Sequence, residues 1–191
     1  MQTNILWKGR ADHSLENCLI TETGTGTAVQ SVIIGKSDDA LYRVDYIIRT
    51  NEYWETIYVQ LKTQLFNKRI SICYESDGKG FWQKNGLPEN HFRGCRDVDI
   101  SLTPFTNTLP VRRLALPIKE THEITVLYFD ILEQQTMPVR QKYTRLSKTQ
   151  YRFENIPNDF EAIITMDENG FVVDYPGLYE RTDRCETGYT I

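Results

Sequence analysis

No apolar run in this chain comes near the ~20 residues needed to cross a bilayer as a helix. Stretches such as Val32-Ile33-Ile34 break off after a few positions. Basic clusters are also scarce. Adjacent pairs such as Arg112-Arg113 stand isolated and the formal net charge is -4, so the basic stripe with which nucleic-acid binders follow a phosphate backbone is missing. The N-terminus, Met1-Gln2-Thr3-Asn4-Ile5-Leu6-Trp7-Lys8, has no basic region followed by an apolar stretch. No secretory signal is read there, and a cytoplasmic location is expected. Cys18, Cys73, Cys95 and Cys185 form no C-x-x-C pair. Cytosolic thiols stay reduced, and the first three, in apolar surroundings, read as small core residues rather than zinc ligands.

Catalytic signatures are missing too. Gly24-x-Gly26 lacks the third glycine of a dinucleotide fingerprint, and there is no G-x-S-x-G elbow and no P-loop. His13, His91 and His122 sit in turn-like or strand-edge settings without ligand spacing, and read as surface histidines. The expectation is a protein without cofactor or metal that is not an enzyme.

What the chain does contain is ordinary globular composition: 191 residues, 40% hydrophobic and 25% charged, enough for one domain with its own core. Short alternating segments dominate. Leu15 to Thr21 and Ala28 to Ile34 flank a hairpin loop at Glu22-Thr23-Gly24-Thr25-Gly26. Ala40 to Arg49 follows the turn Gly35-Lys36-Ser37-Asp38-Asp39, and Trp54 to Leu61 alternates again, with Val59 and Leu61 sharing a face. Arg69 to Tyr74 turns through Glu75 to Gly80 into Phe81-Trp82-Gln83. Further strands are expected at Asp97 to Leu102, Glu123 to Ile131, Met137 to Leu146, Gln150 to Ile156, Glu161 to Met166 and Phe171 to Tyr175. Turn residues every roughly 8–12 positions point to a mainly β sandwich, barrel or roll. One place breaks the rhythm: Pro110, Val111, Leu114 and Ala115 are spaced for a helix of about two turns over Leu109 to Leu116, which Pro117 ends. So short a helix needs the sheet to hold it.

Around that helix runs Gly94-Cys95-Arg96-Asp97-Val98-Asp99-Ile100-Ser101-Leu102-Thr103-Pro104-Phe105-Thr106-Asn107-Thr108-Leu109-Pro110-Val111-Arg112-Arg113-Leu114. Gly78-Lys79-Gly80-Phe81-Trp82 precedes it; Gln141-Lys142-Tyr143 and Asp174-Tyr175-Pro176-Gly177-Leu178-Tyr179 follow. In these motifs, spread over nearly the whole chain, the sequence resembles the family of small bacterial proteins named Putative glycolipid-binding. The resemblance implies a spiral β-roll, a long mostly antiparallel sheet wrapped around one short helix, often as a homodimer. It also implies an amphiphilic, lipid-like or glycolipid-like ligand in the concave interior. The family's name rests on likeness of fold to lipoprotein carriers that work outside the inner membrane, and it brings no catalytic residues. Without an export signal, this chain is expected to meet its ligand in the cytosol or at the membrane's inner face.

Candidate ligand-binding residues follow, each with a structural alternative. Asp97 and Asp99, two apart on a strand, point to one face; they contact a polar ligand, act as acid and base or hold a cation, or form ion pairs with Arg112 and Arg113. Thr103, Thr106, Asn107 and Thr108 cap the helix, or its N-terminus binds a sugar hydroxyl or phosphate, with Arg112 and Arg113 as ligand-binding residues supporting an anionic headgroup. Gln141 and Tyr143 alternate on a strand face, towards a ligand or towards the Asn107 region. Trp54 and Trp82, with Tyr53, Tyr58 and Tyr175, line a cavity or fill core. Two rival readings stay open at this stage: a hydrolase or isomerase using Asp97 or Asp99, and a structural dimeric domain without a ligand.

Overall fold

Period-two alternation in the sequence becomes period-two burial. In the strand Ala40–Asn51, Tyr42, Val44, Tyr46 and Ile48 are buried, while Leu41, Arg43 and Arg49 are exposed. The computed structural model describes residues 1–11, 13–37, 40–65 and 67–188. Its strands are β1 (Gln2–Gly9), β2 (His13–Thr23), β3 (Gly26–Ser37), β4 (Ala40–Asn51), β5 (Thr56–Leu65), β6 (Lys68–Ser76), β7 (Trp82–Lys84), β8 (Leu87–Pro88) and β9 (Asp97–Ile100). After the helix α1 (Thr108–Leu114) come β10 (Thr121–Asp130), β11 (Gln135–Arg145), β12 (Gln150–Ile156), β13 (Glu161–Met166), β14 (Val172–Tyr175) and β15 (Tyr179–Thr187). Among the described residues these strands form one 15-stranded sheet in the order β8-β7-β6-β5-β4-β3-β2-β1-β15-β14-β13-β12-β11-β10-β9. The chain meanders outward from β1 to β8 and crosses the interior through β9 and α1. It then meanders back from β10 to β15, where β15 pairs antiparallel with β1. The mainly β class and the roll with one short helix are therefore observed.

The curl of the sheet is visible in β10. Val126 and Leu127, neighbours that point to opposite faces, are 1% and 0% exposed. A strand covered on both sides reads as a near-continuous apolar run, as Val126-Leu127-Tyr128-Phe129 does. The second cover comes from the first half of the roll: the Tyr74 ring of β6 lies 6.1 Å from Phe129 of β10 and 5.6 Å from Phe92. β9 joins β10 in parallel, with Asp97 opposite Val126 and Asp99 opposite Tyr128, and also approaches β5.

The expected strand spans 150–156 and 161–166 match β12 and β13. Asp38 and Asp39, expected in a turn, lie outside the described residues. Trp54 departs from expectation. Instead of starting a strand it takes φ 62° in the turn between β4 and β5, where its N–H donates to the Asn51 carbonyl at 3.1 Å. The helix is preceded by a 3-10 turn at Phe105–Asn107 and stops at Ala115, whose φ of 45° is left-handed. No side-chain cap was found on it. Capping falls one step earlier, where the Thr103 hydroxyl accepts the Phe105 N–H at 3.0 Å, and the 3-10 turn then runs directly into α1 and supplies backbone acceptors. Two motifs upstream of the helix meet through glycine: a Cβ on Gly80, at φ +89°, would stand 2.9 Å from Gly94 backbone atoms. There the Gly94 N–H donates to the Gly80 carbonyl at 2.9 Å, and the Trp82 indole donates to the Cys95 carbonyl at 2.7 Å.

A nearly buried ion pair anchors α1 to the sheet. Arg113 donates from Nε to Asp97 Oδ1 at 2.9 Å and from its terminal nitrogen to Oδ2 at 2.6 Å, with side chains only 9% and 0% exposed. Removing either partner strands the other charge in low dielectric, which costs about 3–5 kcal/mol. Asp97→Ala and Arg113→Ala are each expected to destabilise the protein by that amount in urea unfolding. The apolar double replacement Asp97→Val with Arg113→Met should lose much less than the sum of the two; an additive loss would contradict a coupled pair.

Candidate ligand-binding cavity

Beside α1 the side chains leave a half-open cavity of about 480 Å3. Three walls build it. Asp99, Ile100, Ser101 and Thr103 come from β9 and the loop after it, and Asn107 from the 3-10 turn. Tyr128 and Asp130 of β10, with Met137, Val139 and Gln141 of β11, form the second wall. Phe153 and Asn155 of β12, then Asp159, Phe160, Tyr175, Leu178 and Tyr179, form the third. Alternation explains the second wall: Val139 and Gln141 point inward, while Arg140 and Lys142 point outward to Glu123 and Glu154. The third wall is aromatic. Tyr175 lies 6.3 Å from Phe153, 6.2 Å from Phe160 and 6.2 Å from Tyr179, centroid to centroid. Such tilted and edge-on pairs are stable ring arrangements.

The polar floor is fixed by hydrogen bonds. Asp99 accepts from the Thr106 hydroxyl and from Gln141 Nε2, both at 2.7 Å. Burial raises the Asp99 carboxyl above its ordinary range, and those donors oppose the rise. Asn107 Oδ1 accepts from the Tyr143 hydroxyl at 2.8 Å. Across the mouth the Tyr179 hydroxyl donates to the Ser101 carbonyl at 3.1 Å. The Tyr128 phenol is pushed up to about 12, by burial first and then by the charges of Asp99 and Asp130.

Of the residues expected from sequence, Asp99, Asn107 and Gln141 line the cavity, and Tyr143 sits beneath, holding Asn107. Asp97 and Arg113 face the same interior but are occupied with each other. Arg112 turns away: it donates to the Asn169 carbonyl at 2.6 Å and to Glu22 at 3.2 Å, and its guanidinium covers the Trp54 ring at 4.3 Å. Trp82 is 0% exposed and belongs to the core. Sequence reasoning did not single out Tyr128, Phe153, Phe160 and Tyr179. Tyr128 could have been found from its register with Asp99.

Glu16 was missed as well. On β2 it alternates inward with Cys18 and Ile20, and is 3% exposed. Its Oε1 accepts from Tyr46 at 2.6 Å, Ser31 at 2.7 Å and Thr103 at 2.9 Å, while Oε2 has no hydrogen-bond partner. Thr103 thus joins this buried acid to the cavity wall. Burial raises the Glu16 carboxyl from 4.5 to about 7, against the three hydroxyl donors. The folded protein then holds a proton that the unfolded chain releases between those two values. Stability from this group is complete below about pH 4.5 and falls as pH rises through about 7, by up to about 3 kcal/mol. Glu16→Gln should remove that fall. The measurement is the difference in unfolding free energy between the two proteins from pH 5 to 8; a difference that stays constant would contradict the assignment.

The comparisons come to one family. The family model described as "Putative glycolipid-binding" matches residues 4–181. A crystal structure of a DUF1089-family protein from Pseudomonas aeruginosa superposes with a TM-score of 0.80 at 31% identity, over 87% of this chain and 91% of that one. No curated protein matches the sequence. With a model match over most of the chain and a crystallographic relative of the same fold, this chain belongs to the family described as Putative glycolipid-binding.

Proposed function

We propose that this protein binds an amphiphilic, lipid-like or glycolipid-like ligand in the cavity beside α1, and that it acts by binding rather than by catalysis. The observation that carries the reading is the cavity itself. At about 480 Å3 it falls within the range of small-molecule sites, and it combines an aromatic and aliphatic wall with a few oriented polar groups. The family description supports the ligand class. Binding rather than turnover is favoured by the state of Asp99. Both of its oxygens are tied to neutral donors of the protein, an arrangement that orients a carboxylate and opposes its use as a mobile acid or base. Among the described residues no helix is long and apolar enough to cross a membrane.

Native mass spectrometry of protein purified without detergent should find a retained amphiphile. Val139→Trp, which fills the second wall from a half-buried position, should abolish retention and weaken binding of n-octyl β-D-glucopyranoside at least tenfold while leaving the unfolding transition cooperative. If the native protein retains nothing and no alkyl glycoside shifts its melting temperature, the roll is a structural domain and the reading fails.

A further inference from the structure

Among the described residues, no basic side chain lines the cavity. The residues that line it include three carboxylates, Asp99, Asp130 and Asp159, and no lysine, arginine or histidine. Strand alternation is one reason: Arg140 and Lys142 of β11 point to the opposite face, where Glu123 and Glu154 pair with them. Pairing is the other. Arg113 is committed bidentately to Asp97, and Arg112 is held by Asn169 and Glu22 on another side of the helix.

We infer that the cavity selects its ligand by charge, accepting an uncharged or amine-bearing sugar and rejecting phosphate, sulfate or carboxylate headgroups. This rests on the binding reading above and narrows it. An anionic headgroup would enter a partly desolvated space beside Asp99 with no cation to meet it, and like charges so placed repel each other. A sugar meets the opposite situation. Its hydroxyls donate to carboxylates, which are the strongest acceptors available. A carboxylate has about four lone-pair sites, so Asp99 keeps acceptor capacity beyond its bonds to Thr106 and Gln141. Asn155 and Gln141 add amide groups, and the rings of Phe160 and Tyr179 offer flat apolar surface to the C–H face of a pyranose. Carboxylates, amides and aromatic rings without a base form a lining suited to neutral polyols.

The test compares ligands that share one chain and differ in charge. At pH 7.5, n-octyl β-D-glucopyranoside is expected to bind at least tenfold tighter than n-octyl β-D-glucuronide, measured by calorimetry below the micelle concentration, with n-octyl phosphate weaker still. Asp99→Asn should bring the first two within about threefold, since the Gln141 amide can turn to present its oxygen to the new side chain. Asp130→Asn, at a half-buried position on the rim, serves if the first variant does not fold and should narrow the ratio too. Methyl β-D-glucopyranoside separates the sources of the sugar: binding equal to the octyl compound assigns a free saccharide, and binding at least tenfold weaker assigns a headgroup on a chain, with the charge rule intact in both cases. Equal or tighter binding of the glucuronide or the phosphate overturns the charge rule but leaves the cavity a binding site. No binding by any member of the series overturns the binding reading, and the charge rule with it.

Discussion

The segment from Gly94 to Leu114 passes through the middle of the molecule while carrying many hydrogen-bonding side chains. Thr103, Thr106, Asn107 and Thr108 are all nearly inaccessible to solvent, and a polar group in that position is costly unless it finds a partner. The sheet supplies most of them: Glu16 for Thr103, Asp99 for Thr106, Tyr143 for Asn107 and Asp97 for Arg113. Apolar contacts would let α1 slide or rotate within the roll at little cost. A bidentate guanidinium–carboxylate pair and a set of single hydroxyl contacts each fit one register only. The interior segment, folded on its own β9, is therefore keyed to strands β2 and β11, and the curl of the sheet has to bring those strands to it.

The cavity follows from that keying. Side chains that reach sideways for partners on the sheet do not fill the space ahead of them, and the hollow opens where Asp99 and Asn107 turn towards β11. The same bonds make its floor rigid. The acid beneath Thr103 adds a link between protonation and this wall, because Glu16 lies in the core but bonds to a residue that lines the cavity. Under the proposed function, the hydrogen-bonded floor and the aromatic wall form the site before a ligand arrives, which lowers the entropic cost of binding.

Much of this was legible in the sequence, for definite reasons. Strands β3, β4, β12 and β13 are buried on one face, so their alternation stands out. The pairing of Asp97 with an arginine, and the approach of Tyr143 to Asn107, followed from putting carboxylates, arginines and amides within reach of one short helix. What stayed hidden depended on the curl. β15 reads Tyr-Glu-Arg-Thr-Asp-Arg-Cys-Glu-Thr and has no buried residue; it holds to β1 by backbone pairing and through Arg181 and Arg184 on Asp167. No apolar pattern announces such a strand, and its ion pairs reach Asp167 in the turn after β13 rather than β1. Arg112 and Arg113 are adjacent and chemically alike, and only the helix geometry sends one to Asp97 and the other across Trp54. Glu16 sits in a strand where Leu15 and Leu19 mark the opposite face as apolar too, so its inward direction was ambiguous.

The mouth of the cavity joins parts of the chain that meet only when the roll is closed. Ser101 belongs to the interior segment and Tyr179 to the last strand, and their hydrogen bond spans 78 positions. Tyr179 stands opposite Gly9 of β1, and the Arg10 N–H donates to the Leu178 carbonyl at 2.7 Å. The third wall is thus held in place by the seam between the first and last strands. A ligand touching Tyr179 and Leu178 on one side and Asp99 on the other bridges the two meanders, and its binding energy adds to the stability of the seam by mass action. Opening of the seam in turn removes one wall of the site. Under the proposed binding function, closure of the sheet and ligand affinity are two readings of one equilibrium.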